Sequence, residues 1–116
     1  MEIAELLQMV VDEEASDLHL TVGTPPQLRI SGHLVPLTAD PLEPKDTEKF
    51  MRSISSDEHI EKVRKEGGVD FGFSFGKIAR FRVSVYRQRG SYGLALRLIP
   101  SNLLTLEGIG FSSVMK

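Results

Sequence analysis

An α+β domain built on a one-faced antiparallel sheet is the fold class this sequence predicts, from three observations. First, several segments alternate apolar and polar residues, as in Arg80-Phe81-Arg82-Val83-Ser84-Val85-Tyr86 and Leu94-Ala95-Leu96-Arg97-Leu98-Ile99. Period-two alternation marks strands with one face buried and the other wet. Second, other segments space their apolar residues for helices. Third, glycine, proline and serine separate these runs at short intervals. The resulting order is αβββααβββ: about six short strands with helices on one face. A chain of 116 residues is one domain by length, with room for one core.

Ile3, Leu6, Leu7, Val10 and Val11 place an amphipathic helix over residues 2–14, with acids on its other side. Ser16-Asp17 ends it, and Leu18-His19-Leu20-Thr21-Val22 alternates as a first strand. Gly23-Thr24-Pro25-Pro26 is a turn, because two prolines cannot sit inside a central strand. Gln27–Ile30 and His33–Leu37 are short strands around a Ser31-Gly32 turn. Pro44 suits the first turn of a helix striped by Phe50, Met51 and Ile54. Ser55 with Glu58 matches a capping box for the next helix, which buries Ile60 and Val63. Glu58–Lys62 and Glu61–Lys65 are favourable pairs on its wet side. Gly67-Gly68 stops that helix. Val69, Phe71, Phe73 and Phe75 then alternate with Asp70, Gly72, Ser74 and Gly76, giving a strand with a heavily aromatic core face.

Composition is that of a soluble globular protein, with 41% hydrophobic and 26% charged residues. No apolar run approaches the ~20 residues of a membrane helix, and the acidic N-terminus is not a signal peptide. Without cysteine there is no disulfide, thiol nucleophile or cysteine metal site, which suits the cytoplasm. A net charge of −2 argues against a general nucleic-acid binder.

That charge is unevenly placed. Residues 71–106 hold six cations (Lys77, Arg80, Arg82, Arg87, Arg89, Arg97) and no acid, so a +6 segment stands against a −8 remainder. Parity places the two arginine-bearing strands in a hairpin with their apolar sets on one face. A turn at Arg89-Gly90 sets Arg82 directly opposite Arg97; a Gly90-Ser91 turn, the better type II′ candidate, makes them diagonal neighbours. Both registers put two guanidiniums on the wet face, roughly 5–8 Å apart at Cβ, which is mildly destabilising unless an anion lies between them. Ordinary solvated arginines fit this pattern. So does an anion site for phosphate, carboxylate or nucleic-acid backbone, and the pattern alone does not choose.

Other chemistry is sparse. His19, His33 and His59 lack a second ligand at metal spacing, so no metal site is expected. Asp17 and His19 share a strand face within reach of a hydrogen bond, a structural pairing more often than a catalytic one. No serine has a nucleophile-elbow context, and Gly72-Phe73-Ser74-Phe75-Gly76 has the wrong spacing for a dinucleotide fingerprint. Neither phosphate-loop motif nor its acidic partner is present, so this chain alone is not expected to be an enzyme.

Several segments together resemble the N-terminal domain of the type IV pilus retraction (twitching-motility) motors, within the type II/IV secretion ATPase superfamily. They are Ala15-Ser16-Asp17-Leu18-His19-Leu20, Gly23-Thr24-Pro25-Pro26 with Arg29, Gly32 and Leu34, Asp70-Phe71-Ser74-Phe75, Arg80-Phe81-Arg82-Val83, and Leu96-Arg97-Leu98-Ile99-Pro100 with Leu106-Glu107. They span nearly the whole chain in order. The resemblance implies a PAS-like domain over residues 1–100 and, over 101–116, the start of a linker to a RecA-like ATPase domain. It further implies a cytoplasmic homohexamer at the inner-membrane face, using ATP and Mg²⁺. Its partners would be its own RecA-like domain, the neighbouring subunits and the pilus inner-membrane platform protein, with no nucleic acid. By the same resemblance Arg82 and Arg97 match positions that reach nucleotide phosphates, and Arg29, Arg80, Arg87 and Arg89 become interface candidates. Two alternatives stand beside it: the N-domain of a pilus-assembly or type II secretion ATPase, and a free-standing PAS-like sensor or interaction module. The assembly and secretion motors usually carry long extra N-terminal segments, whereas this sequence starts at its first helix. A sensor should have an internal ligand pocket and a terminal signalling helix.

Overall fold

The computed structural model describes residues 2–99. Three helices, α1 (Ile3–Asp12), α2 (Pro44–Ile54) and α3 (Asp57–Glu66), accompany six strands. The strands are β1 (Asp17–Leu20), β2 (Gln27–Ile30), β3 (His33–Pro36), β4 (Gly68–Phe75), β5 (Ala79–Gln88) and β6 (Ser91–Ile99). The six strands pair antiparallel throughout, in the order β3-β2-β1-β6-β5-β4. The expected order of elements is the observed one. The first strand is shorter than expected: pairing stops at Leu20, and Val22 instead bridges Leu42 in parallel. The linker expected over 101–116 lies outside the described residues.

One core holds the domain together. Leu6, Leu7 and Val10 of α1, Phe50 and Met51 of α2, and Val63 of α3 pack on Leu18, Leu28, Phe81, Val83, Leu94 and Leu96 of the sheet. Phe81, Val83 and Val85 of β5 enter this layer at alternate positions, which leaves Arg82, Ser84 and Tyr86 on the opposite, helix-free face. Phe81 and Val83 are wholly buried while Arg82 between them is exposed.

Local signals mostly act as the sequence suggests, with three exceptions. Ser56 rather than Ser55 caps α3: its hydroxyl accepts from the His59 N–H, and His59 Nδ1 accepts from the Ser56 N–H. The capping box is thus one residue later than Ser55–Glu58, with an imidazole in the usual carboxylate position. Glu61–Lys65 forms at 3.5 Å, whereas Glu58–Lys62 is not among the described ion pairs. Phe71, Phe73 and Phe75 are half-buried rather than core residues, because β4 is an edge strand that the helices cover incompletely. His59 of α3 stacks on Phe71, with ring centroids 3.9 Å apart and planes 7° from parallel. Gly67 ends α3 at φ +89°, the left-handed conformation that glycine adopts without strain.

Candidate anion site on the bare sheet face

The site is built by the β5–β6 hairpin and completed by β1. Gln88 pairs with Ser91, so the turn is Arg89-Gly90, with φ of +54° and +80°. Positive φ at both central residues is the type I′ geometry that matches the strand twist, and it displaces the Gly90-Ser91 alternative. Arg82 therefore faces Arg97 directly.

Acids from elsewhere in the chain meet both arginines. Asp17, at the start of β1, stands in register with Arg29 of β2 on one side and Arg97 of β6 on the other. Its two oxygens each lie 3.2 Å from an arginine Nε, Oδ2 with Arg29 and Oδ1 with Arg97. The Asp17 side chain is only 10% exposed, so each arginine contact replaces water that burial removes. Arg82 Nη2 lies 3.7 Å from Asp70 Oδ2 on the edge strand. The hydrogen bond that a shared face allowed between Asp17 and His19 is not made. Asp17 turns to the arginines, and His19 Nε2 is buried without a partner.

These contacts leave much of each guanidinium in water. The Arg82 and Arg97 side chains are 70% and 74% exposed. Asp17 engages Arg97 through Nε rather than through its terminal nitrogens. Together with Asp17, His19, Asp70 and Ser84 the pair lines a hollow of about 260 Å³. Two exposed cations beside a half-neutralised floor can accept one bidentate anion.

The other arginines have separate places. Arg29 also donates through Nη1 to the Gly32 carbonyl at 3.1 Å, which ties it into the β2–β3 turn. Arg80 donates to the Ser74 hydroxyl at 2.7 Å across the β4–β5 ladder. Arg87 donates to the Arg64 carbonyl at 2.8 Å, satisfying an end of α3 from below. Arg89 occupies the hairpin turn. Arg82 lines two hollows, one with Arg97 and one with Arg80, and it is the first that also holds Asp17, His19 and Ser84. Sequence reasoning missed Asp17 and Asp70 as their counter-ions. Asp17's open-face parity in the first strand was the available signal, but nothing local tells that β1 lies beside β6.

Fold and site define a class: a one-faced α+β domain presenting paired arginines on its uncovered sheet face. The relatives place it further. No protein-family model matches the chain. It is 36% identical over all of its 116 residues to the type IV pilus retraction ATPase PilT of Pseudomonas aeruginosa, covering 34% of that protein. It is 33% identical over the same length to the type IV pilus ATPase PilU of that organism, covering 30% of it. Among solved structures, the pilus retraction motor PilT with bound ADP superposes with a TM-score of 0.82 at 38% identity, over 96% of this chain and 33% of that one. The chain has the sequence and fold of the N-terminal domain of the PilT-like type II/IV secretion ATPases. It spans about a third of the length of the curated relatives it matches. None of its described helices is long and apolar enough to cross a membrane.

Proposed function

We propose that this is the N-terminal domain of a hexameric motor for type IV pilus retraction, and that Arg82 and Arg97 neutralise nucleotide phosphates when an ATPase domain closes on the bare face. The observation that carries the reading is the directly opposed pair itself, with both guanidiniums more than two-thirds exposed above a common hollow. Bound ADP in the similar PilT structure supports a nucleotide as the anion. ATP and Mg²⁺ belong to the parent motor in this reading. The phosphates fit the exposed guanidiniums, while Asp17 and Asp70 are already turned to arginines and the described residues hold no cluster of metal-ligating groups. Hydrolysis then rests on the ATPase domain, and this chain supplies cationic contacts that strengthen as phosphate charge develops. Its partners would be that domain and the neighbouring subunits, with the pilus platform at the cytoplasmic side of the inner membrane as the load. Arg80, Arg87 and Arg89 remain candidates for contacts between subunits, alongside the local roles described above.

The test uses the longer polypeptide that carries the ATPase domain. Arg82→Ala or Arg97→Ala should reduce kcat by roughly 10²–10³-fold, less if the two share the role, with the fold retained. Steady-state hydrolysis and thermal melts of both variants give the answer. Two folded variants that turn over ATP at the parental rate would return both arginines to ordinary solvation.

A further inference from the structure

Tyr86 lies on the same face of β5 as Arg82, four residues on, hence about 13 Å away at the ~3.3 Å rise of a strand. Its partner across the ladder is Gly93 of β6. The outer edge of the ring lies over that glycine: a Cβ there would stand 2.4 Å from Cε2 and 2.5 Å from Cζ of Tyr86. Glycine at 93 therefore seats the ring against the sheet. Beside it is a hollow of about 300 Å³, lined also by Thr21, Gln88, Ser91 and the turn residue Arg89, a third cation at this end. Two residues further along β6 on the same face, Ala95 lines the arginine hollow. The two hollows thus adjoin along one strand. Small side chains separate a phenol ring at one end from two guanidiniums at the other, and Thr21, Ser84, Gln88 and Ser91 offer hydroxyl and amide partners between and around them.

We infer that Tyr86 is a base-stacking subsite for a nucleoside di- or triphosphate whose phosphates lie at Arg82 and Arg97. The order of parts on the face, ring then small polar floor then cations, is the order of base, sugar and phosphates in such a ligand. An aromatic ring accepts any base through its π-face, so the subsite selects for a nucleotide over a bare polyphosphate without choosing among bases. This inference rests on the phosphate reading of the arginine pair.

The experiment takes the 116-residue chain and follows its amide and arginine Nε–H resonances while adding, separately, tripolyphosphate, adenosine and ATP at millimolar concentration. The expected result is that tripolyphosphate moves Arg82 and Arg97, adenosine moves Tyr86 and Gly93, and ATP moves all four. ATP should bind about fivefold or more tighter than tripolyphosphate, the low end of what one base gains on an aromatic ring. Tyr86→Leu should erase that advantage with a dispersed spectrum retained. Gly93→Ala, which must push the ring aside, should reduce it as well. Arginines that respond to tripolyphosphate while Tyr86 and Gly93 ignore adenosine and ATP overturn the base subsite and leave the phosphate reading standing. Tyr86 and Gly93 responding to adenosine while the arginines ignore tripolyphosphate sinks the phosphate reading and keeps the base subsite. A folded Tyr86→Leu that keeps the full ATP advantage also overturns the inference.

Discussion

Asp17 and Asp70 meet arginines on the same sheet face, yet their surroundings make them different devices. Asp17 sits on a central strand with a neighbour on each side, 10% exposed, and its oxygens contact Arg29 and Arg97 at 3.2 Å. Asp70 sits on the edge strand, 55% exposed, and meets Arg82 at 3.7 Å. The first contact joins β2, β1 and β6 through one desolvated carboxylate. The second is an exposed pair of the kind worth roughly 0–1 kcal/mol. Arg97 is consequently held in place by the fold, while Arg82 is held only lightly and can turn to a ligand at little cost. The pair is symmetric in sequence pattern and asymmetric in energetics.

The sharpest way to break this comparison is to remove each acid. Asp17→Ala should cost about 2 kcal/mol, between the exposed and buried ion-pair regimes because its arginines can still reach water. In a domain of this size that lowers the melting temperature by roughly 8–16 °C. Asp70→Ala should stay within about 0.5 kcal/mol of the parent. Equal losses in the two melts would show that position in the sheet does not set the worth of these pairs.

Smaller effects sharpen the same contrast. Arg29→Ala and Arg97→Ala should each cost about 1 kcal/mol. Their double variant should depart from the sum by 0.5 kcal/mol or more, because both act on one carboxylate. Additive melts would mean that Asp17 treats the two independently. Arg82→Ala should change stability by no more than about 0.5 kcal/mol. The least effect expected is from salt. Shortening the screening length from ~10 Å at 0.1 M to ~3 Å at 1 M should bring Asp70→Ala and the parent together, since an exposed pair is screened most. The Asp17→Ala deficit should persist. A deficit that vanishes with salt would mark Asp17 as a surface charge after all.

Much of this was legible in residue order. Alternation in residues 80–99 gave both hairpin strands and the face of every arginine on them, because a strand's side chains change face at each residue. Helical spacing gave α1, α2 and α3, and Pro44 and Gly67 marked a beginning and an end. Local competition blurred the details. Ser55 and Ser56 are both good caps, and only the chain's entry into α3 decided that Ser56 and His59 close the box. Two hairpin turns kept the same residues inside, so the twist-matched Arg89-Gly90 turn was decided by geometry rather than pattern. The phenylalanines of β4 alternate as core residues do, yet they are half-buried because their strand became an edge.

By itself, then, the sequence determined the elements, the faces they bury and the meeting of Arg82 with Arg97, all of which depend on residues close in the chain. Tertiary structure decided what surrounds that meeting. Asp17 reaches Arg97 across 80 residues of sequence because β1 inserts between β2 and β6. No local periodicity specifies that neighbour, since many strand orders bury the same apolar faces. The choice among them rests on the summed packing of the whole core, and the position and burial of the site's anchoring carboxylate follow from it.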